Sequence, residues 1–176
     1  MTTQTERIRR FRSLHRPGDP VILLNVWDAG SARWVADSPS PALATASHAL
    51  AGALGYDDGE QAPREEVLNV LERVCWAAGD KPVSHDAERG YAQDAGGVAD
   101  FVREISAAGA VGINLEDTLA DGALRDEAEQ CERLAAAKSA LGDGFLNARC
   151  DVFLGALSGR QEDKLEVLLI RAAAYR

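Results

Sequence analysis

Three short stretches carry polar and charged side chains two residues apart at the ends of apolar runs. They are Asp86 and Glu88 closing the run from Pro82, Asn114 and Glu116 in the run from Gly112, and Asn147 and Arg149 in the run from Phe145. Alternate side chains of a strand share a face, so each pair points one way while His85 and Ala87, or Cys150, point the other. Charged groups seldom sit inside apolar strands without a partner. If the three faces meet, the carboxylates of Asp86, Glu88 and Glu116 raise one another's pKa, and a divalent cation relieves that. Oxygen-only donors suit Mg²⁺, with Mn²⁺ as the alternative, rather than zinc, and a short donor list leaves such an ion several waters. Arg149 adds a planar fork that matches a substrate carboxylate. His85, on the opposite face from Asp86, is expected to pack under a helix rather than act as a base. His15 suits the end of a helix, where a cation is favourable.

The elements that must position these groups follow one grammar. Val21 to Trp27, Ala42 to Ser47, Pro82 to Glu88, Gly112 to Glu116 and Phe145 to Asp151 read as strands buried on both faces. Helical composition fills Ser31 to Asp37, Pro63 to Ala78, Ala95 to Ala108, Arg125 to Leu141 and Gln161 to Tyr175. Before the first strand, Ile8, Phe11 and Leu14 predict an amphipathic helix over about residues 2–16, stopped by Pro17-Gly18. Alternating strands and helices argue for a parallel α/β fold, since parallel neighbours need crossovers. The expected architecture is a (β/α)₈ TIM barrel, with residues 1–176 as a single partial domain holding about the first five βα units. Eight units would need roughly 250 residues. A doubly wound sheet is the alternative, yet neither G-x-G-x-x-G nor a P-loop is present. At a barrel's carboxyl mouth Asp86, Glu88, Glu116 and Arg149 would converge.

The bulk properties narrow the partners. With 28 acidic and 19 basic residues the net charge is -9, which disfavours nucleic acid and anionic membrane surfaces. No apolar run approaches the ~18 residues of a membrane span, and Cys75, Cys131 and Cys150 lack the spacing of a disulfide or zinc framework. A cytoplasmic protein with reduced thiols is the expectation.

Five motifs, in order, resemble the signatures of the isocitrate lyase/phosphoenolpyruvate mutase family: Asn25-Val26-Trp27-Asp28-Ala29, Leu54-Gly55-Tyr56-Asp57-Asp58-Gly59-Glu60, Asp86-Ala87-Glu88-Arg89-Gly90-Tyr91, Gly112-Ile113-Asn114-Leu115-Glu116-Asp117 and Asn147-Ala148-Arg149-Cys150-Asp151. The resemblance implies a Mg²⁺ ion held by Asp58, Asp86, Glu88 and Glu116, largely through water. It implies a small 2-oxo or 2-hydroxy carboxylate gripped by backbone donors near Ser47 and His48, by Trp27 and by Arg149. Arg149, Glu116 and Asp58 would then stand nearest the chemistry, the making or breaking of a C–C or C–P bond through an enolate. Full-length members are implied to be homo-oligomers.

Two departures qualify what the resemblance implies. Residues 117–126 read DTLADGALRD, without the cysteine loop of isocitrate-cleaving members or the lysine- and asparagine-bearing gate of the mutases. This segment is the expected lid, on the strength of its position and Gly122. The last three strands and the C-terminal helix of family barrels are also missing, so a curved, unclosed sheet with exposed edges is expected, and such a chain should be marginal or self-associate. A carbon–carbon lyase or a fragment of one, and a catalytically silent partial barrel, are the two readings this leaves.

Overall fold

The computed structural model describes residues 2–156 and 158–176. Five strands, β1 (Leu24–Val26), β2 (Leu43–Thr45), β3 (Val83–Asp86), β4 (Gly112–Glu116) and β5 (Phe145–Arg149), form one sheet in the order β1-β2-β3-β4-β5. Every neighbouring pair is parallel. Among the described residues the α-helices are α1 (Gln4–Leu14), α2 (Ala29–Ala36), α3 (Ser47–Leu54), α4 (Arg64–Ala78), α5 (Ala95–Ala107), α6 (Glu127–Leu141) and α7 (Gln161–Ala174). Strand order that follows chain order without reversal is the path of a barrel wall, and a doubly wound sheet would reverse it. Among the described residues β1 and β5 each pair on one side only, so the wall is unclosed.

The two faces of the wall differ as the alternation predicts. Leu43, Val83, Ile113 and Leu115 are buried against Val74 of α4, Phe101, Val102 and Ile105 of α5, and Ala137 of α6. The other face presents Asn25, Ala44, Ser84, Asp86, Asn114 and Asn147 to a cavity of about 730 Å³. Its lower end is closed by α1. Thr3 caps that helix, accepting the Glu6 amide at 3.2 Å while the Glu6 carboxylate accepts the Thr3 amide at 2.7 Å. Phe11, 1% exposed, then lies edge-on to Phe145, on which His15 stacks at 3.6 Å. Gly112 is required where it stands, because a Cβ there would lie 2.6 Å from the Phe11 ring.

Several expected boundaries move. The strand expected from Val21 is confined to Leu24–Val26, since only that stretch has a partner in β2, and Ile22 is 77% exposed. The strand expected to reach Ser47 ends at Thr45, and Ser47 instead opens α3, a helix that the sequence reading missed. Gly55, left-handed at φ 89°, closes it. β3 stops at Asp86 and β5 at Arg149, after which the chain makes one π-helical turn, Val152–Ala156.

Candidate active site

Asp86 is the junction at the carboxyl edge. Its carboxylate accepts the Ser47 hydroxyl at 2.9 Å, the Asn114 side-chain amide at 3.0 Å, and the Ser47 backbone N–H at 3.4 Å. No side chain caps α3 from its own N-cap residue, Ala46, so Asp86 supplies the anion for that helix end. Asn114 is held in turn by Asn147, whose amide donates to the Asn114 carbonyl at 2.5 Å. A polar relay therefore runs across β5, β4 and β3 on the inner face.

Beside Asp86, Glu116 accepts the Thr118 hydroxyl at 2.7 Å and meets Arg149 at 3.1 Å. Burial, opposed by Thr118 and Arg149 and reinforced by the charges of Asp151 and Asp86, raises its pKa. The Arg149 fork is engaged by Asp151 through Nε at 2.6 Å and Nη2 at 2.8 Å. Burial works against the guanidinium charge, yet Asp151 and Glu116 outweigh it and hold the Arg149 pKa above its ordinary value. The segment expected as a lid is a small hairpin, with Thr118 bridged to Leu124. It borders a cavity of about 400 Å³ shared with Arg89, Arg149 and Asp151.

Glu88 departs from the alternation argument. The strand ends two residues earlier, and Glu88 has a left-handed backbone, φ 49°. Its carboxylate accepts the Glu60 amide at 2.7 Å and the Tyr91 hydroxyl at 2.9 Å. Burial pushes its pKa up to about 7, against the hydrogen bonds from Tyr91 and Glu60 and with help from the charges of Asp58 and Glu60. The acidic residues thus fall into two adjoining groups, Asp86 with Glu116, and Glu88 with Asp58 and Glu60. Asp58 lies 3.7 Å from the exposed ring of His48. Trp27, 41% exposed, follows β1 at the same edge.

Other histidines and thiols serve the fold. His85 is 1% exposed and edge-on to Phe101 of α5, as its strand face predicts, and its Nδ1 pairs with the Thr45 hydroxyl at 2.9 Å. Burial lowers its pKa to about 4, against the Asp86 charge. Burial also raises the Cys75 thiol to about 12 and the partly buried Cys150 thiol to about 11. Asp151, Thr118, Tyr91 and Glu60 escaped the sequence reading as site residues, although Asp151, Tyr91 and Glu60 each stand within a motif.

The donor set fits a hard divalent cation, because every acidic group at this edge offers oxygen, and burial, which raises the pKa of Glu88 and Glu116, makes a neighbouring positive charge favourable to their ionised forms. Among the described residues no three His, Cys, Asp or Glu side chains stand close enough to hold an ion directly. No helix of the described chain is long and apolar enough to cross a membrane.

Comparison with known proteins gives this geometry a family. An uncharacterised protein of Mycobacterium tuberculosis is 34% identical over 143 residues, 81% of this chain and 53% of the relative. The chain therefore spans about half the length of the curated relatives it matches. Among solved structures, a candidate phosphonomutase from Burkholderia cenocepacia J2315 is 46% identical with a TM-score of 0.92, covering 98% of this chain and 70% of the other. A 2,3-dimethylmalate lyase of the phosphoenolpyruvate mutase/isocitrate lyase superfamily is 25% identical with a TM-score of 0.81, over 100% and 59%. Phosphonopyruvate hydrolase, solved with oxalate and Mg²⁺, shares the fold at 19% identity and a TM-score of 0.83, over 96% and 59%. The phosphoenolpyruvate phosphomutase family profile matches residues 11–176, and with its motifs standing together at the sheet's carboxyl edge the chain belongs to that family.

Proposed function

We propose that this edge binds Mg²⁺, or Mn²⁺ in its place, together with a small 2-oxo or 2-hydroxy carboxylate, and that a C–C bond next to the 2-oxo group is made or broken there. The observation that carries the reading is the junction at Asp86, where a strand-end carboxylate, a helix N-terminus, Glu116 and Arg149 adjoin. Asp86, Glu116, Glu88 and Asp58 would hold the ion, mainly through water, as their separation into two groups requires. When bound, the ion would supply positive charge to the substrate's 2-oxo oxygen. The α3 amides at Ser47 and His48 and the Arg149 guanidinium would bind the substrate carboxylate, with Trp27 at its flank. The 118–124 hairpin would exclude water.

The structures solved for the family include a lyase, and a hydrolase bound to oxalate and Mg²⁺, which supports this class of ligand. C–P bond chemistry is the second reading, favoured by the 46% identity to a candidate phosphonomutase. A catalytically silent chain is the third. Oxaloacetate and phosphonopyruvate, each followed by NMR with Mg²⁺ and again with EDTA, separate the three. Loss of oxaloacetate that stops with EDTA and in Asp86→Asn supports the first, and turnover that survives both changes refutes it.

A further inference from the structure

We infer that Arg171 and Tyr175 are positioning residues that set the orientation of Arg149 through Asp117 and Asp151, an inference that rests on the substrate-binding role proposed above for Arg149. Asp117, fully buried, directly follows Glu116 at the end of β4. One of its oxygens accepts the Asp151 backbone N–H at 2.9 Å. The other accepts Arg171 Nη1 at 3.1 Å and the Tyr175 hydroxyl at 2.8 Å. Asp151, so fixed by its backbone, presents the carboxylate that engages the Arg149 fork at 2.6 and 2.8 Å.

The same clamp reaches the hairpin. Arg125 closes the hairpin's base by donating its N–H to the Asp117 carbonyl at 2.8 Å, and its own carbonyl accepts Arg171 Nη2 at 2.5 Å. One guanidinium on α7 therefore ties the hairpin's base to the group that aims Arg149. Arg171 is also the buried residue of α7, while Leu165, Leu169 and Ile170 of that helix are exposed. The clamp thus supplies the one side chain of α7 that is buried within the described fold. A buried carboxylate that meets two donors on one oxygen and a backbone amide on the other has little rotational freedom, so its geometry is passed on rather than averaged.

The test uses the full chain and three variants: Arg171→Met, Tyr175→Phe, and Phe11→Leu as a control that loosens the far end of the barrel wall. The first readout is solvent exchange of the Arg149 Nε–H by ¹⁵N NMR, assigned by its loss in Arg149→Lys. The second is Mg²⁺-dependent oxalate binding by calorimetry. Exchange should quicken and oxalate binding weaken by about tenfold in both clamp variants, the share of one hydrogen bond to a charged group. Phe11→Leu should lower the thermal midpoint and leave the Nε–H protected. Unchanged protection in both clamp variants, or equal loss in the control, overturns the inference. Should Arg171→Met fail to fold, Tyr175→Phe decides, because it removes a single hydroxyl. A wild type that binds no oxalate refutes the proposed function, and the Nε–H exchange still decides the role of Arg171 and Tyr175.

Discussion

Glu88→Gln should stabilise the metal-free chain above pH 7 and do so progressively less as the solution is acidified. Glu88 is 6% exposed and its pKa is pushed from 4.5 to about 7. Below pH 4.5 the carboxyl is protonated in folded and unfolded chains alike, and burial costs little. Above about 7 it is ionised in both, and the folded chain carries the full cost of a buried charge beside Asp58 and Glu60. Wild-type stability from this group therefore falls as pH rises through that window, by roughly 3 kcal/mol at 1.4 kcal/mol per pH unit. His85 acts in the opposite sense. Its pKa is lowered to about 4, so its contribution is lost as pH falls from 6.5, which masks the Glu88 effect in the wild type alone. The difference between wild type and Glu88→Gln removes His85 from the comparison, as both proteins carry it. Urea unfolding in EDTA at pH 4.5, 6 and 8 gives that difference directly. It should widen by roughly 3 kcal/mol from the lowest to the highest pH, and shrink again when Mg²⁺ is added at pH 8. A difference that stays flat with pH would refute the burial argument.

Three further outcomes follow from the geometry. Calorimetric titration with Mg²⁺ or Mn²⁺ should show heat in the wild type and none in a Glu88→Ala, Glu116→Ala double variant, and equal affinity in both would remove the proposed metal site. Arg149→Lys should raise KM for a turned-over 2-oxo acid by about tenfold or more, because an ammonium cannot reproduce the fork held by Asp151. Gly112→Ala should lower stability by about 1–3 kcal/mol, since the added methyl would stand 2.6 Å from the Phe11 ring, and an unchanged thermal midpoint would show that α1 yields freely.

The sequence carried the order of the elements because apolar runs and helical stretches alternate, and it carried the inner face because alternation holds within β4 and β5. Asn114, Glu116, Asn147 and Arg149 stand where period two puts them. Glu88 does not, since a left-handed backbone after Asp86 cannot be read from strand periodicity. The helix α3 was hidden for a different reason: Ala49 to Leu54 has no polar side chain to set off an amphipathic stripe, and it is capped by Asp86, 39 positions from Ser47 in the chain. The length of β1 depends on having a neighbour, and Val21 to Leu23 have none in the sheet. Asp117 and Asp151 were missed as supports because the partners Arg171 and Tyr175 are brought to them by folding alone.

The relay from Asn147 through Asn114 to Asp86 has a consequence for how such a chain can diversify. A one-residue slip of β5 against β4 would bring Leu146 or Ala148 opposite Asn114, orphan its carbonyl, and turn Arg149 away from Glu116. These side chains thus act as a proofreading mark for strand alignment as well as lining the carboxyl edge. A substitution among them that altered ligand preference would also loosen the mark and admit misaligned chains. New preferences are therefore reached at lower risk from the hairpin at 118–124, whose tip takes no part in aligning β3, β4 and β5.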